Sequence, residues 1–524
     1  MELISIQFLI FITAALLLYY LLPAKYQWMV LLVTSYVYYI IICKLYVGFI
    51  ITTTLTSYWG ARQMGRLAAK RDATLKEMKS VWQKDEKKAY KARMNAKRKF
   101  WVLLMVLLNF GILAFLKYTP QFPNFRLLFP LGISFYTFQT MGYVIDVYRE
   151  QAEPEQNVGK LALFVSFFPQ IIQGPIAEYN QLAPQFFKAH RFQYDRLKSG
   201  ALLVLWGVMK KLIIADRAVQ MIRVVQKDMN DFSGAWILAS VIMYALQLYA
   251  DFSGGIDIVR GIAEMFDIDM AINFRQPYFA TSLAEYWHRW HITLGAWVRK
   301  YVFYPLSISK RFLQMGKKIK SRSWMPEGLS KHLSRVIPAC LASLITFLII
   351  GIWHGANWKY VAFGLWNGLV IMAGELLKPV NARLLEKLHI KQTALPHRIA
   401  SMLWTFVLVL IGYYFDVAAN LKEALQMLWR SVSDLRPADL SDLAPIKHSG
   451  LDYMDMRLLL ISTLILFTIS VLQERRSDMT MREWLMQKPL AIQWSLIYAG
   501  IFAVLIFGYY GAGVNPAEFV YMQF

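Results

Sequence analysis

The sequence predicts an all-α protein that crosses a membrane many times, on the basis of its composition, its apolar segments and its charge pattern. Of its 524 residues, 57% are hydrophobic and only 17% are charged. A typical soluble domain has about 45–50% apolar and about 25% charged residues, so a disordered chain and an ordinary globular domain are both excluded. The two cysteines, Cys43 and Cys340, lie in apolar segments. We therefore expect neither a disulfide framework nor a thiolate metal site.

Twelve apolar segments are candidates for spanning helices, because a span needs about 20 apolar residues. They are 3–22, 28–43, 47–60, 101–115, 127–145, 199–214, 235–250, 336–352, 360–377, 399–415, 458–472 and 491–511. A further apolar stretch, 161–176, is interrupted by Pro169, Gly174 and Pro175, which favours a re-entrant or broken helix. The first segment begins Met-Glu-Leu without a basic start, so we expect a membrane helix there and not a cleaved signal peptide.

The charge distribution predicts which side of the membrane each connecting segment faces. Segments 62–99 and 299–335 hold 14 and 10 basic residues against 4 and 1 acidic ones, whereas 416–455 holds 4 basic and 7 acidic residues. Under the positive-inside rule the basic segments are cytoplasmic and the acidic segment faces out, which places the N-terminus outside. We expect 62–99 to form a solvated helical hairpin or arm. Topology thus explains the net charge of +23, so we expect no nucleic-acid partner.

Two histidines lie in a tryptophan-rich segment of interfacial character, between residues 273 and 304. These are His288 and His291. On a continuous helix, His291 would share one stripe with Trp287 and Leu294, facing the protein or the membrane. A histidine in such a stripe is either a hydrogen-bonded core residue or a functional group.

A third histidine, His354, closes the apolar segment 336–352 and is flanked by Gly351 and Gly355. An ionisable side chain at membrane depth is costly and is therefore a functional candidate. The remaining histidines lie in polar stretches, and we expect them at the surface: His190, His332, His389, His397 and His448.

Two chemistries suit the clustered histidines. A neutral imidazole can act as a general base, taking a proton from a hydroxyl or thiol that attacks an acyl group, which is worth ~10²–10⁴-fold in rate. Metal ligation is the alternative, because Glu285, His288 and His291 are spaced i, i+3, i+6 and His354 could complete the set. That spacing is not distinctive, so we expect no metal.

At these residues the sequence resembles the membrane-bound O-acyltransferase (MBOAT) family, and within it the bacterial alginate O-acetyltransferase-like branch. The resemblance covers about residues 120–375 and is carried by the segments Pro130–Gln139, Tyr143–Arg149, Phe168–Pro175, Tyr249–Gly254, Asn273–Tyr278, Tyr286–Ile292 and Trp353–Trp358. The sequence departs from the branch in having His288 where arginine is usual, and Asn367-Gly368 where a second His-Gly is common.

The resemblance implies a bundle of about 11–13 transmembrane helices, with re-entrant or broken helices around a central funnel. It implies that His354 is the catalytic general base, and that His291 is a second catalytic histidine that positions the acyl group or polarises its carbonyl. The residues expected to support these two or to bind the acyl donor are Arg289, Trp290, Trp353, Asn357, Asn273 and Gln139. The expected organisation is 1–115 as N-terminal spans, 116–378 as catalytic core and 379–524 as C-terminal spans.

The resemblance also implies the substrates and the location. The donor would be acetyl-CoA or another acyl-CoA from the cytoplasm, with no bound cofactor, and the basic stretch 299–320 could attract its phosphates. The acceptor would be an extracytoplasmic polysaccharide or an acyl-carrier protein, served by an extracytoplasmic acetyltransferase partner. The protein would lie in the lipid of a bacterial cell membrane. The alternatives are D-alanyl transfer to teichoic acid, a polysaccharide or lipid transporter without acyl chemistry, and a scaffold for outer-surface enzymes.

Overall fold

The structure is a computed structural model that describes residues 3–118, 130–322, 324–443, 450–476, 478–511 and 519. In chain order, its α-helices are α1 Ile6–Leu21, α2 Gln27–Cys43, α3 Val47–Glu77, α4 Lys84–Tyr118, α5 Ile133–Tyr148, α6 Val158–Ser166, α7 Phe168–Gln173, α8 Tyr179–Phe186, α9 Tyr194–Met209, α10 Asp216–Lys227, α11 Gly234–Met265, α12 Leu283–Arg289, α13 Ile292–Val298, α14 Tyr304–Ser307, α15 Lys310–Lys320, α16 Glu327–His354, α17 Trp358–Lys387, α18 Leu395–Val417, α19 Leu421–Ser433, α20 Tyr453–Arg475, α21 Met481–Met486 and α22 Leu490–Phe507. Lys210–Ala215 and Arg299–Phe303 are π-helical, and short 3₁₀ turns occur at Ala24–Tyr26, Lys44–Tyr46, Met229–Asp231, Pro277–Phe279 and Pro437–Ser441.

The described residues contain eight helical segments that are long and apolar enough to cross a membrane. They are Ala24–Glu77, Lys84–Tyr118, Gly234–Met265, Glu327–His354, Trp358–Lys387, Leu395–Val417, Tyr453–Arg475 and Leu490–Phe507. The predicted all-α, polytopic membrane architecture is thereby confirmed. Other predicted spans form shorter apolar helices, such as the 16-residue α1.

The chain divides into two compact units, and Met1–Val204 with Val259–Ala271 forms the first. Its helices α3 and α4 form the predicted hairpin. The basic segment 62–99 forms the second half of α3, the turn and the first half of α4. Trp59 and Trp101 pack edge to face across the hairpin, with ring centroids 4.6 Å apart. Further along the hairpin, Nη1 of Arg71 on α3 donates to Oδ1 of Asn95 on α4 over 3.2 Å.

The apolar stretch 161–176 in the same unit is broken, as its prolines and glycine predict. Helix α6 ends at Ser166 and α7 starts at Phe168, because Phe167 between them has a non-helical backbone with φ −49° and ψ 110°. Pro169 then occupies the first turn of α7, where its missing N–H costs no hydrogen bond.

One histidine of this unit, His190, is buried, contrary to its predicted position at the surface. His190 is only 9% exposed, its Nδ1 lies 2.9 Å from Asp267 Oδ2, and its Nε2 lies 2.7 Å from the carbonyl oxygen of Gln185. The prediction was wrong because the local polarity around residue 190 gives no sign of a contact with a residue 77 positions away.

The second unit comprises Leu205–Ile258 and Ile272–Phe524, and α16 and α17 cross in it at very short range. A Cβ on Gly364 would lie 2.5 Å from the carbonyl oxygen of Phe347, and one on Gly351 would lie 2.3 Å from the carbonyl oxygen of Tyr360. Only residues without a side chain allow this approach. The crossing holds the C-terminal end of α16, and hence His354, against the start of α17.

A buried charge cluster in the second unit joins Asp251 of α11 to Lys211 of the π-helical segment and to Asp216 of α10. Lys211 Nζ lies 2.7 Å from Asp251 Oδ1 and 2.9 Å from Asp216 Oδ1, and all three side chains are at most 4% exposed. The hydropathy pattern placed Asp251 at the end of a span, but α11 continues to Met265. A helix-interior carboxylate is tolerated there because the lysine pairs with it.

Candidate functional site

The tryptophan-rich segment is not one continuous helix, contrary to the predicted stripe. Helix α12 ends at Arg289, Trp290 is extended, and His291 has a left-handed backbone with φ 45° before α13 begins. The break is held by the strand-like segment around Phe274, which forms an isolated antiparallel bridge with Trp290. A left-handed conformation is strained for a residue other than glycine, and such strain is common at functional sites.

Asn273 anchors this break from the preceding segment and is fully buried. Its Oδ1 accepts from the backbone N–H and from the hydroxyl of Thr293, each over 3.0 Å, and lies 3.3 Å from His291 Nδ1. The backbone N–H can only donate, so it identifies the atom that it contacts as the amide oxygen of Asn273. An oxygen that only accepts requires a proton on His291 Nδ1, which leaves Nε2 as a hydrogen-bond acceptor. Burial lowers the pKa of His291 to about 3, so the ring is neutral.

His354 is the last residue of α16 and is surrounded by aromatic rings. Its ring lies 4.9 Å from that of Trp353, 5.9 Å from Tyr360 in a stacked arrangement, and 5.7 Å from Phe363, between ring centroids. The helix ends here because Gly355 adopts an extended conformation and Asn357 caps α17, accepting from the N–H of Lys359. The predicted end of the span at this histidine is confirmed.

His291 and His354 line the same cavity, which has a volume of about 40 Å³. The rest of its wall is mostly aromatic and apolar, and consists of Leu248, Tyr286, Trp287, Trp290, Leu294, Phe363, Asn367, Val409, Gly412, Tyr413 and Asp416. Trp287, His291 and Leu294 therefore face one space even though the helix between them is broken. The two histidines from distant segments are brought together as a pair.

Three tyrosine hydroxyls form a chain of hydrogen bonds at this wall, and the direction of each bond can be assigned. Tyr278 donates to the carbonyl oxygen of Ala245 over 2.6 Å, so its oxygen must accept from Tyr413, 3.2 Å away. Tyr413 has then used its proton and accepts from Tyr286 over 2.8 Å. The chain ties together α11, α12 and α18, three elements that contribute to the cavity.

Of the other predicted site residues, some contact the two histidines or line the cavity and others do not. Trp290 lines the cavity and Asn273 holds His291, whereas Trp353 contacts the His354 ring. Arg289 forms ion pairs with Glu285 and Glu474 over 2.7 and 2.8 Å. Asn357 acts as a helix cap, and Gln139 of the first unit donates to the carbonyl oxygen of Phe164 over 2.6 Å. Arg289, Asn357 and Gln139 are not among the residues that line the cavity.

Two polar residues of the cavity wall were missed as site residues. Asn367 accepts from Trp287 Nε1 over 2.9 Å, and Asp416 accepts from the hydroxyl of Tyr244 over 2.7 Å. The sequence carried a signal for Asn367, because it stands where the family has a second His-Gly. For Asp416 the only signal was a carboxylate directly after an apolar segment, which the charge count assigned to the outer loop.

The metal alternative finds no support among the residues that the structure describes, where no three histidine, cysteine or acidic side chains form a group able to hold an ion. Glu285 is paired with Arg289, and His288 accepts from Arg299 Nη2 over 2.7 Å. Burial and the neighbouring Arg299 lower the pKa of His288. Two members of the spaced set are therefore bound to arginines.

The family model of MBOAT, the membrane-bound O-acyltransferase family, matches residues 56–318, half of the chain. The chain belongs to the membrane-bound O-acyltransferase family. It is therefore a multi-pass membrane enzyme that transfers an acyl group from a donor to an acceptor hydroxyl, as the resemblance implied.

Three relatives show the range of the family around this chain. The probable alginate O-acetylase AlgI of Azotobacter vinelandii is 28% identical, over 81% of this chain and 78% of the relative. The peptidoglycan O-acetyltransferase of Helicobacter pylori is 29% identical, over 65% of this chain and 66% of the relative. The teichoic acid D-alanyltransferase of Streptococcus thermophilus is 25% identical, over 47% of this chain and 56% of the relative.

Proposed function

We propose that this enzyme transfers an acetyl group from cytoplasmic acetyl-CoA to a hydroxyl of an extracytoplasmic polysaccharide, with His354 as the general base. The observation that carries the proposal is the small cavity that His354 and His291 share. Relatives that match 81% and 65% of the chain are named for O-acetylation of alginate and of peptidoglycan, whereas the D-alanyltransferase matches 47% of it. The extracytoplasmic acetyltransferase partner and the location in a bacterial cell membrane with the N-terminus outside belong to the same proposal.

The reaction is a displacement at the thioester carbonyl. His354 takes the proton of the acceptor hydroxyl as its oxygen attacks the acyl carbon. The new C–O bond forms, the C–S bond of the thioester breaks, and the proton passes from His354 to the departing thiolate. The imidazole is thereby regenerated, so the residue needs no external proton source.

The role of His291 differs from the carbonyl polarisation that the resemblance allowed. Its Nδ1 proton is directed to Asn273, so its Nε2 accepts hydrogen bonds and cannot donate one to a carbonyl oxygen. We assign His291 to orienting the acceptor hydroxyl or the acyl group by accepting a hydrogen bond or by contact. Among donor side chains of the wall, the Trp290 indole lies nearest in sequence to this histidine.

The size of the cavity supports acetyl over longer acyl groups. A water needs about 10–15 Å³ of such volume, so a cavity of about 40 Å³ holds about three atoms, the size of an acetyl group. With acyl-CoA donors of increasing chain length, turnover should fall steeply beyond acetyl.

Leu248→Ala enlarges the cavity and should raise propionyl and butyryl turnover relative to acetyl turnover. Leu466→Ala, at a position buried outside the cavity, should not. An unchanged chain-length profile in Leu248→Ala contradicts the cavity as the acyl site.

The first experiment is turnover of radiolabelled acetyl-CoA by the purified protein in nanodiscs, with His354→Ala and His291→Ala beside the wild type. Loss of turnover in folded His354→Ala, with a smaller loss in His291→Ala, is expected. Equal turnover in wild type and His354→Ala overturns the assignment of the base. D-alanyl-carrier and acetyl-CoA donors are supplied in parallel, because turnover with the former alone would favour teichoic acid modification.

A further inference from the structure

A second, larger cavity is lined by residues of the first compact unit, whereas the cavity of His291 and His354 is lined by residues of the second. Residues of α3, α4 and α5 and of the following loop 150–156 line it, and its volume is about 550 Å³. That volume is in the range of small-molecule binding sites, about 300–1,000 Å³. Three arginines line it, namely Arg62, Arg66 and Arg98.

Arg98 is a buried, hydrogen-bonded donor in the wall of this cavity. Its side chain is 3% exposed, forms an ion pair with Glu150, and donates from Nη2 to the carbonyl oxygens of Tyr148 and Val147 over 2.7 and 3.3 Å. Within the described part of the chain its buried Nε has no hydrogen-bond partner. A buried donor on a charged group that lacks a partner is costly, and a bound anion beside this guanidinium would lower that cost.

Arg62 and Arg66 supply the positive charge that is not neutralised. They lie one turn apart on α3 and so share a face of the helix. Neither forms a hydrogen bond or an ion pair with any residue that the structure describes. Arg62 is half-buried and Arg66 is exposed, so both guanidinium groups are accessible to a ligand.

The acidic residues of the cavity do not cancel these two arginines. Glu150 is bound by Arg98 and by Arg71, the latter over 2.7 Å, and Asp72 is also bound by Arg71 over 2.7 Å. Among the carboxylates of the wall, only that of Glu153 has no such partner in the described residues. The cavity therefore presents two uncommitted guanidinium groups and one buried donor against one uncommitted carboxylate.

We propose that this cavity binds a phosphate-bearing ligand of about nucleotide size. The planar guanidinium fork matches two phosphate oxygens at once, which makes arginine the preferred side chain for this recognition. The phosphate can come from a soluble nucleotide or from the headgroup of an anionic lipid, because the arginine segment has the charge bias of a membrane-adjacent segment. The site is separate from the acyl-transfer chemistry and does not depend on it.

The test uses the full-length protein in nanodiscs of phosphatidylcholine, with binding of ADP measured by calorimetry and by thermal stabilisation. Saturable binding is expected, and Arg62→Ala/Arg66→Ala should weaken it by at least about tenfold, or 1.4 kcal/mol. The matched control is Lys70→Ala/Lys76→Ala, which removes the same charge from exposed positions of α3 that do not line the cavity. His354→Ala should bind ADP as the wild type does, which separates this site from the proposed catalytic one.

A second arm identifies the source of the phosphate. Nanodiscs with phosphatidylglycerol replace those of phosphatidylcholine, without ADP. Stabilisation by phosphatidylglycerol that is lost in the arginine variant and kept in the lysine variant supports the site with a lipid headgroup as its occupant. The proposal is overturned if the arginine and lysine variants lose the response equally, or if neither ADP nor phosphatidylglycerol has an effect on the wild type.

Discussion

Replacing Asn273 tests whether the hydrogen bond to His291 sets the proton position on which the proposed role depends. Asn273→Leu has nearly the same size but offers no acceptor to His291 Nδ1 or to the backbone N–H of Thr293. The buried N–H of Thr293 cannot reorient, so we expect a loss of about 1–3 kcal/mol in the free energy of unfolding. His291 can escape the same penalty by moving its proton to Nε2.

The effect on turnover follows from the hydrogen bond that His291 loses. A net hydrogen bond of about 0.5–1.5 kcal/mol changes the population of the two neutral tautomers by up to about tenfold. Loss of a fixed ring position adds a further factor, since a misplacement of about 1 Å can cost about a hundredfold in rate. We therefore expect kcat in Asn273→Leu to fall by about 10- to 1000-fold, measured as acetyl-CoA turnover in nanodiscs.

Two further variants distinguish positioning from simple misfolding. Asn273→Asp keeps an acceptor oxygen, so it should restore most of the turnover, and its carboxylate should raise the pKa of His291 and move the acid limb of the pH–rate profile upwards. Thr293→Val removes the hydroxyl that donates to the same oxygen over 3.0 Å but leaves the contact with His291, and should retain turnover. Wild-type kcat in a folded Asn273→Leu protein, or equal damage in Asn273→Asp and Asn273→Leu, refutes the reasoning.

Two predictions concern stability. Gly364→Val places a Cβ 2.5 Å from the carbonyl oxygen of Phe347 and should lower the melting temperature, with a cost of about 1–3 kcal/mol, whereas Gly374→Val, which meets nothing within 4 Å, should change it little. Equal melting temperatures of the two variants would show that the helix crossing tolerates a side chain. Hydrogen bonding by Arg71 lowers the pKa of Glu150 to about 2, so its ionised form stabilises the fold above the unfolded-state pKa of about 4.3. The difference in melting temperature between wild type and Glu150→Gln should be largest near neutral pH and shrink as the pH falls towards 2, and a pH-independent difference would contradict the ion pair as its cause.

Much of the helical framework follows from local properties of the sequence. The hydropathy of residues 336–352 and the glycine after His354 predicted a span that ends at this histidine, and α16 ends there. Pro169, Gly174 and Pro175 likewise predicted a broken helix within 161–176, and a break lies between α6 and α7. Side-chain hydrophobicity and the restricted backbone of proline are properties of each residue, so they can be read along the chain without knowing the fold.

The break at Trp290 and His291 could not be found in this way. Periodicity placed both on a continuous helix, but the backbone of a preceding segment around Phe274 pairs with Trp290 and stops the helix. The same limit applied to His190, whose polar sequence neighbours concealed a buried contact with Asp267. In each case the contact that decides the structure is with a residue distant in sequence, so the local sequence pattern does not indicate it.

The sequence by itself determined the membrane class, most helix positions, the family and the two histidines that we propose as catalytic. Only the tertiary structure decided that His291 and His354 share one cavity, that Asn367 and Asp416 belong to its wall, and that Arg289 is engaged by Glu285 and Glu474 instead. The physical reason is that hydrophobic partitioning acts on residues one at a time, whereas hydrogen bonds and ion pairs require two specific atoms within about 3 Å of each other. Segments far apart in the chain meet at that range only through the packing of the whole bundle.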